Sequence, residues 1–397
     1  METGVRRIGV AERRARLAVR HHLALPARAG TAAAVAQDLI ALHGTDPASV
    51  YLAVWARTSA VDGSAVEQAL YTDRALVRML GMRRTMFVVP AGSASLIQAA
   101  CTDEIAGRMR RTLTGSLQKA EVAEDVPRWL TEVCDATVAA LTTLGSATGA
   151  ELAKAEPRLG VEISYAEGKN YGGATRISSR VLMLLSAEGR IIRGRPRGGW
   201  TSSQFQWYLT GAWLDGRPAQ TYPSAAQARA ELARRWLHAF GPAPVSDLQW
   251  WAGWTAGQTK AALAGLDLTE VDLDGTPGVL LAADAEPGRV DEPWAALLPA
   301  LDPTPMGWKD RSWFLGGHAP ALFDRSGNIG PTIWWDGRIV GGWAQRKDGE
   351  VVCRLLEDAG ADAQAAIAAQ VELLTPLLGA ARVTPRFRTP LERELTS

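Results

Sequence analysis

Two eight-residue stretches, residues 145–152 (GSATGAEL) and 241–248 (GPAPVSDL), align without a gap. The glycine, the alanine two residues on, the acidic residue and the final leucine coincide. Each stretch sits at the same place in a longer pattern. A helical pattern precedes it, ending at Gly145 in the first case and at Phe240-Gly241 in the second. Another helical pattern follows, from about Ala174 to Ala187 in the first and from Thr255 to Leu266 in the second. Each then reads as a hairpin. The first has Ile191-Ile192, a turn over 193–199 and a returning strand over 205–209; the second spans 269–283 and is broken at Asp274-Gly275. Three helices followed by a hairpin is the winged-helix order, and recurrence makes coincidence a poor explanation. Thr148 and Pro244, each with an acidic residue three positions on, read as helix starts.

The flanking regions complete the expected architecture. In the first ~100 residues, Thr31 caps a helix predicted to run through Leu42. Asp46 caps another that begins at Pro47. His43-Gly44-Thr45 is therefore expected to be a tight loop pinned between two helix ends. Residues 82–89 read as a strand carrying Arg83 and Arg84. Near the C-terminus, residues 331–335, 338–343 and 350–355 read as strands joined at Asp336-Gly337 and Asp348-Gly349. A helix from Ala361 to about Leu374 follows, with Pro376 as its stop. The expected fold is mainly α with β, built of tandem winged-helix units. An N-terminal helical unit (1–125, a diverged winged helix) precedes winged-helix units at 126–222 and 223–290. A C-terminal β-meander or barrel-like unit with a terminal helix occupies 291–397.

Hydrophobic residues make up 47% of the 397, enough to bury a core, and no apolar run is long enough for a transmembrane helix. The basic N-terminus lacks the apolar stretch of a signal peptide. Cys101, Cys134 and Cys353 are isolated and lack zinc spacing, which fits core positions in a reducing cytoplasm. No Gly-rich phosphate loop or metal-ligand cluster is evident, so no cofactor and no metal are expected. Net charge is only +1, but the arginines cluster: at 13, 14, 16 and 20, at 108, 110 and 111, and at 190, 193, 195 and 197. A nucleic-acid face needs local, not global, positive charge. Arg193, Arg195 and Arg197 alternate, so on an extended hairpin they would share a side and suit phosphate contacts.

Several stretches carry a resemblance: LIALHGTDPASVYLAVWAR (39–57), residues 180–193, LPALDPTPMGWKDR (298–311) and PTIWWDGRIVGGW (331–343). In this order they resemble the winged-helix superfamily of bacterial alkylpurine and interstrand-crosslink DNA glycosylases. The resemblance implies a monomeric cytoplasmic enzyme acting on double-stranded DNA that contains alkylated purines. It implies excision of bulky or crosslinked N-alkylated bases, possible substrates being the adducts of DNA-alkylating natural products, in repair or self-resistance. Family members carry Gln-x-Gln or Gln-x-Asp, some with His first, just before the Asp-Pro helix start. His43, Gly44 and Thr45 occupy those positions, and Thr45 departs from the pattern. The alternative is a non-catalytic winged-helix regulator or lesion sensor.

The chemistry open to that loop follows from the leaving group. An N7-alkylated guanine is already cationic, so its departure needs little acid catalysis. What remains is to place and deprotonate a water. His43 is the candidate base, with an ordinary pKa near ~6.5, so activity is expected to fall below that pH. Thr45 would hold the water, and Asp46 would orient His43 or stabilise the sugar cation besides capping its helix.

Overall fold

Residues 47–55 (PASVYLAVW) have no polar face, and a helix apolar all round belongs in an interior. In the computed structural model, which describes residues 5–59, 63–165, 173–214, 222, 224–290 and 292–397, this helix is Pro47–Trp55 and every residue of it is buried. Around it one core joins both ends of the chain, from Leu17 and Val54 through Trp236 to Trp308 and Trp334. Ser49 donates to the carbonyl of Ala300 at 2.7 Å. Just past the helix, Arg57 makes a bidentate pair with Asp302 at 2.8 and 2.6 Å, both side chains fully buried. Arg57 also donates to Thr304 Oγ1, whose hydroxyl lies 2.8 Å from His21 Nδ1. His21 Nε2 faces the carbonyl of Ala239, which can only accept, so Nε2 carries the proton. Removing one partner of a buried pair strands the other charge. Asp302→Ala is therefore expected to cost ~3–5 kcal/mol, read as a fall in the denaturant midpoint; an unchanged midpoint would show that the pair is dispensable.

The two repeated segments share the order of three helices and a hairpin, the first with a two-stranded ribbon between its second and third helices. The first contains helices Val126–Leu144 (α1), Gly149–Ala155 (α2) and Ser178–Ala187 (α3), then strands Ile191–Pro196 (β1) and Phe205–Leu209 (β2). The second contains Ala225–Phe240 (α4), Val245–Ala252 (α5) and Ala256–Leu263 (α6), then Leu268–Leu273 (β3) and Thr276–Leu281 (β4). The aligned alanines explain why the short stretches match. Ala147 exchanges both backbone bonds with Trp207 of β2, and Ala243 does the same with Val279 of β4. Both are buried, as are the aligned Leu152 and Leu248. The aligned acids differ: Glu151 completes a capping box with Thr148, whereas buried Asp247 accepts from the backbone of Lys309 and Asp310. The first segment has its own core, including Leu130, Leu152, Val181 and Trp207.

Several expectations are corrected. The helix capped by Thr31 stops at Asp38, and Leu42–His43 is a short strand rather than part of a loop between helices. It pairs with Val88 and Phe87, partners too distant in sequence for local patterning to show. Residues 82–84 form a turn between strands Leu76–Gly81 and Thr85–Pro90. Arg83 and Arg84 both have positive φ there, 52° and 59°, a conformation that non-glycine residues rarely advertise. The third helix of the first segment starts at Ser178, because 173–176 pairs with 162–165 as a ribbon. Strand β1 runs to Pro196, beyond the expected Ile192. Pro376 lies inside the helix Ala361–Leu378, where the Glu372 carbonyl that loses its i→i−4 donor belongs to an exposed residue. Cys353 is exposed, while Cys101 and Cys134 are buried. Buried Arg13 and Arg16 are structural: Arg13 lies 4.1 Å over the Trp313 ring, and Arg16 binds Glu12 and the carbonyls of Asp284 and Glu286.

The C-terminal meander is as read, with one further strand, Ala295–Leu298, pairing with Thr332–Trp335. Trp334 is buried and Trp335 only half-buried, as their alternation requires. The expected boundaries at 222/223 and 290/291 touch residues outside the described set. At 125/126 a five-stranded sheet spans the division. It runs Leu42–His43, Thr85–Pro90, Leu76–Gly81, β1, β2, with Arg78 opposite Arg193 at the seam.

Candidate active site

The sheet, the Arg83-Arg84 turn and the loops near 301–328 enclose an open cleft of about 620 Å³. His43 and Thr45 lie in its wall. Leu42–His43 reaches this place by pairing with Thr85–Pro90, and Gly44 extends the contact by donating to the Met86 carbonyl at 2.9 Å. A Cβ on Gly44 would stand 3.3 Å from the backbone of Phe87 and 3.4 Å from Arg78, so this close approach favours glycine. His43 is 7% exposed, its ring 4.8 Å from that of Phe87, and its Nδ1 is buried without a hydrogen-bond partner. Burial, helped by the nearby Arg83 cation, pushes its pKa down to about 3. His43 is thus neutral across the physiological range. The expected titration of this imidazole near pH 6.5 is corrected accordingly.

Five guanidinium groups line the cleft, those of Arg83, Arg84, Arg193, Arg311 and Arg386, and none of its described lining residues is acidic. Trp250 holds two of them, with Arg83 at 3.9 Å and Arg311 at 4.9 Å from its ring. Burial, then Arg78 and Arg386, lowers the Arg193 pKa to about 10; burial, then Arg83, does the same to Arg311. Burial of Arg193 and Arg311 beside other guanidinium groups disfavours their charged forms, and a polyanion would relieve that cost. Among the described residues no group of three or more His, Cys, Asp or Glu could hold a metal.

Residues 36–377 match the family described as DNA glycosylase AlkZ-like. The chain belongs to that family. It is accordingly a DNA N-glycosylase, acting on DNA in repair. The fold is similar to that of the Streptomyces sahachiroi DNA glycosylase AlkZ, with a TM-score of 0.71 over 96% of this chain and 99% of that one. The two are 20% identical, so this likeness speaks for the fold. Comparison with curated proteins gives no match. No described helix is long and apolar enough to cross a membrane.

Within this glycosylase the sequence-predicted residues separate. His43, Thr45, Arg83, Arg84 and Arg193 meet in the cleft. Asp46 is not among its lining residues. Its Oδ1 accepts from Ala48 N at 3.2 Å and its Oδ2 from Arg386 N at 3.0 Å, so both oxygens are committed to backbone amides. Arg195 pairs with Glu67 and stacks on Tyr71, and Arg197 pairs with Glu151 at 2.6 Å; neither lines the cleft. Sequence reasoning missed Trp250, Arg311 and Arg386 as site residues. Trp250 carries no local signal that separates it from its buried neighbour Trp251, and Arg311 stood in a resemblance motif without a role. The basic-aromatic run Arg386-Phe387-Arg388 was a usable signal for the third.

Proposed function

We propose that this AlkZ-like glycosylase hydrolyses the N-glycosidic bond of bulky N-alkylated purines in duplex DNA, N7-alkylguanine adducts among them, with His43 and Thr45 holding the attacking water. The carrying observation is a neutral imidazole at the wall of a cleft lined by five arginines and by no described acidic residue. Without a carboxylic acid to protonate the departing base, the cleft suits a base that is already cationic. The sugar then develops oxocarbenium character, and an electrophile of that strength needs a placed water more than a strong base. An imidazole with a low pKa accepts a hydrogen bond from such a water while adding no positive charge beside the sugar cation. Arg83, Arg84 and Arg193 bind phosphates on either side, whereas Arg195 and Arg197 are already paired with Glu67 and Glu151 outside the cleft.

The two segments of three helices and a hairpin serve, in this reading, as tandem winged helices that hold the duplex. The shared bridge between the first loop and the last strand supports it. An open cleft also suits an adduct too large to be flipped into a closed pocket. The test is direct. A duplex with a defined bulky N7-alkylguanine is incubated with the protein, and free modified base and alkali-labile strands are measured. Base release is expected; intact duplex under conditions where N7-methylguanine is released would overturn the bulky-adduct assignment.

A further inference from the structure

The family match ends at residue 377, yet the chain beyond it returns to the cleft. Gln345 ties this segment at two points, accepting from Val383 N at 2.8 Å and donating to the Ala381 carbonyl at 3.2 Å. Asp46 ties it at a third through Arg386 N. Past these ties Thr389 is buried, and residues 390–395 form a short helix against the meander. Arg386 and Phe387 are left in the cleft wall.

The arginines of this segment have different employment. Arg382 is spent on the carbonyls of Lys347 and Asp348, and Arg388 on Glu392 at 2.5 Å. Arg386 is exposed and forms no ion pair with a described residue. Its backbone, by contrast, is fixed by a carboxylate only 6% exposed. The same construction recurs across the cleft, where buried Asp247 accepts from the amides of Lys309 and Asp310, immediately before Arg311. In both places a buried carboxylate holds backbone so that the adjoining arginine stands in the cleft.

We propose that Arg386 and Phe387 form a phosphate-binding wall of the DNA cleft, in which Arg386 contacts a backbone phosphate and Asp46 is the positioning residue that holds it there. This rests on the reading of the cleft as the DNA site. It gives Asp46 a role the sequence did not suggest: one oxygen starts the helix behind the His43 loop, and the other places a cation from the far end of the chain. An asparagine can supply only one acceptor oxygen to those two amides, so Asp46→Asn loosens one of the two ties.

The experiment measures binding of the full-length protein to an undamaged duplex between 50 and 200 mM salt. A lost phosphate contact lowers the slope of log K against log salt by ~0.9, or roughly eightfold in affinity at 0.1 M. Arg386→Ala is expected to show that loss, Arg386→Lys to keep the slope, and Asp46→Asn to lower it with Arg386 itself intact. Arg193→Ala serves as the reference for the cleft. If Arg193→Ala lowers the slope and Arg386→Ala does not, the wall is refuted and the cleft reading stands. If neither lowers it, the cleft reading fails and takes the wall with it. If Arg386→Ala lowers it and Asp46→Asn leaves it at the native value, the positioning role of Asp46 is refuted.

Discussion

Replacing His43 with alanine is expected to slow single-turnover release of an N7-alkylated base by ~10²-fold or more, within the range of a lost general base or water-holding group. Duplex affinity should change little, because His43 is neutral and recessed in the wall. Thr45→Ala should cost less, since a hydroxyl positions water without being able to deprotonate it. The pH profile separates this site from an ordinary histidine base. With the pKa held near 3 by burial and Arg83, the native rate should show no His43 limb between about pH 5 and 8. The same shift bears on stability. Unfolded His43 takes up its proton near 6.5 and the folded residue only near 3, so the unfolded state binds more protons in that window. Stability therefore declines as pH falls from 6.5, and rates below it need a folding control. A one-proton loss of rate centred near 6.5, with the fold intact, would refute the buried, neutral assignment.

Local signals carried much of the fold. The Asp46-Pro47 start is as read because capping and a proline at the first helical position are decided within three residues. The repeated GxAxxx[ED]L stretch found its two segments because each alanine makes the same backbone bridge. Non-local pairing was not legible. Leu42–His43 looks like the tail of a helix until Phe87 and Val88 are beside it. The Arg83-Arg84 turn has no glycine or asparagine to announce it; two non-glycine residues at positive φ are held there by the strands on either side and by Trp250.

The site was legible to the same extent. His43 and Thr45 were reachable because they precede a recognisable helix start, but the environment that sets the His43 pKa comes from Phe87 and Arg83, and that is a tertiary property. Asp46 was assigned its cap correctly, whereas its second oxygen answers to Arg386, 340 positions away. Alternation placed Arg193, Arg195 and Arg197 on one side of an ideal strand. The irregularity between Arg193 and Pro196 breaks that regularity, and only Arg193 reaches the cleft.

That division among the hairpin arginines yields the largest expected change in binding. Glutamine at Arg83, Arg84 and Arg193 together removes three cleft cations, two of which stack on Trp250, Phe205 and Trp207, while leaving a polar, planar amide at each position. At ~0.9 per contact the salt slope should fall by about 2.7, roughly 500-fold in duplex affinity at 0.1 M. Glutamine at Arg195 and Arg197 should leave the slope close to native, because Glu67 and Glu151 already neutralise these two. A charge paired within the protein displaces few counterions from DNA. The contrast discriminates between two views of the hairpin. If the Arg195/Arg197 variant loses slope and the cleft variant does not, the duplex lies along the outer hairpin, and the cleft arginines serve some other end. Equal losses would mean that the ion pairs to Glu67 and Glu151 open on binding, which Glu67→Gln and Glu151→Gln would then reveal as a gain in affinity.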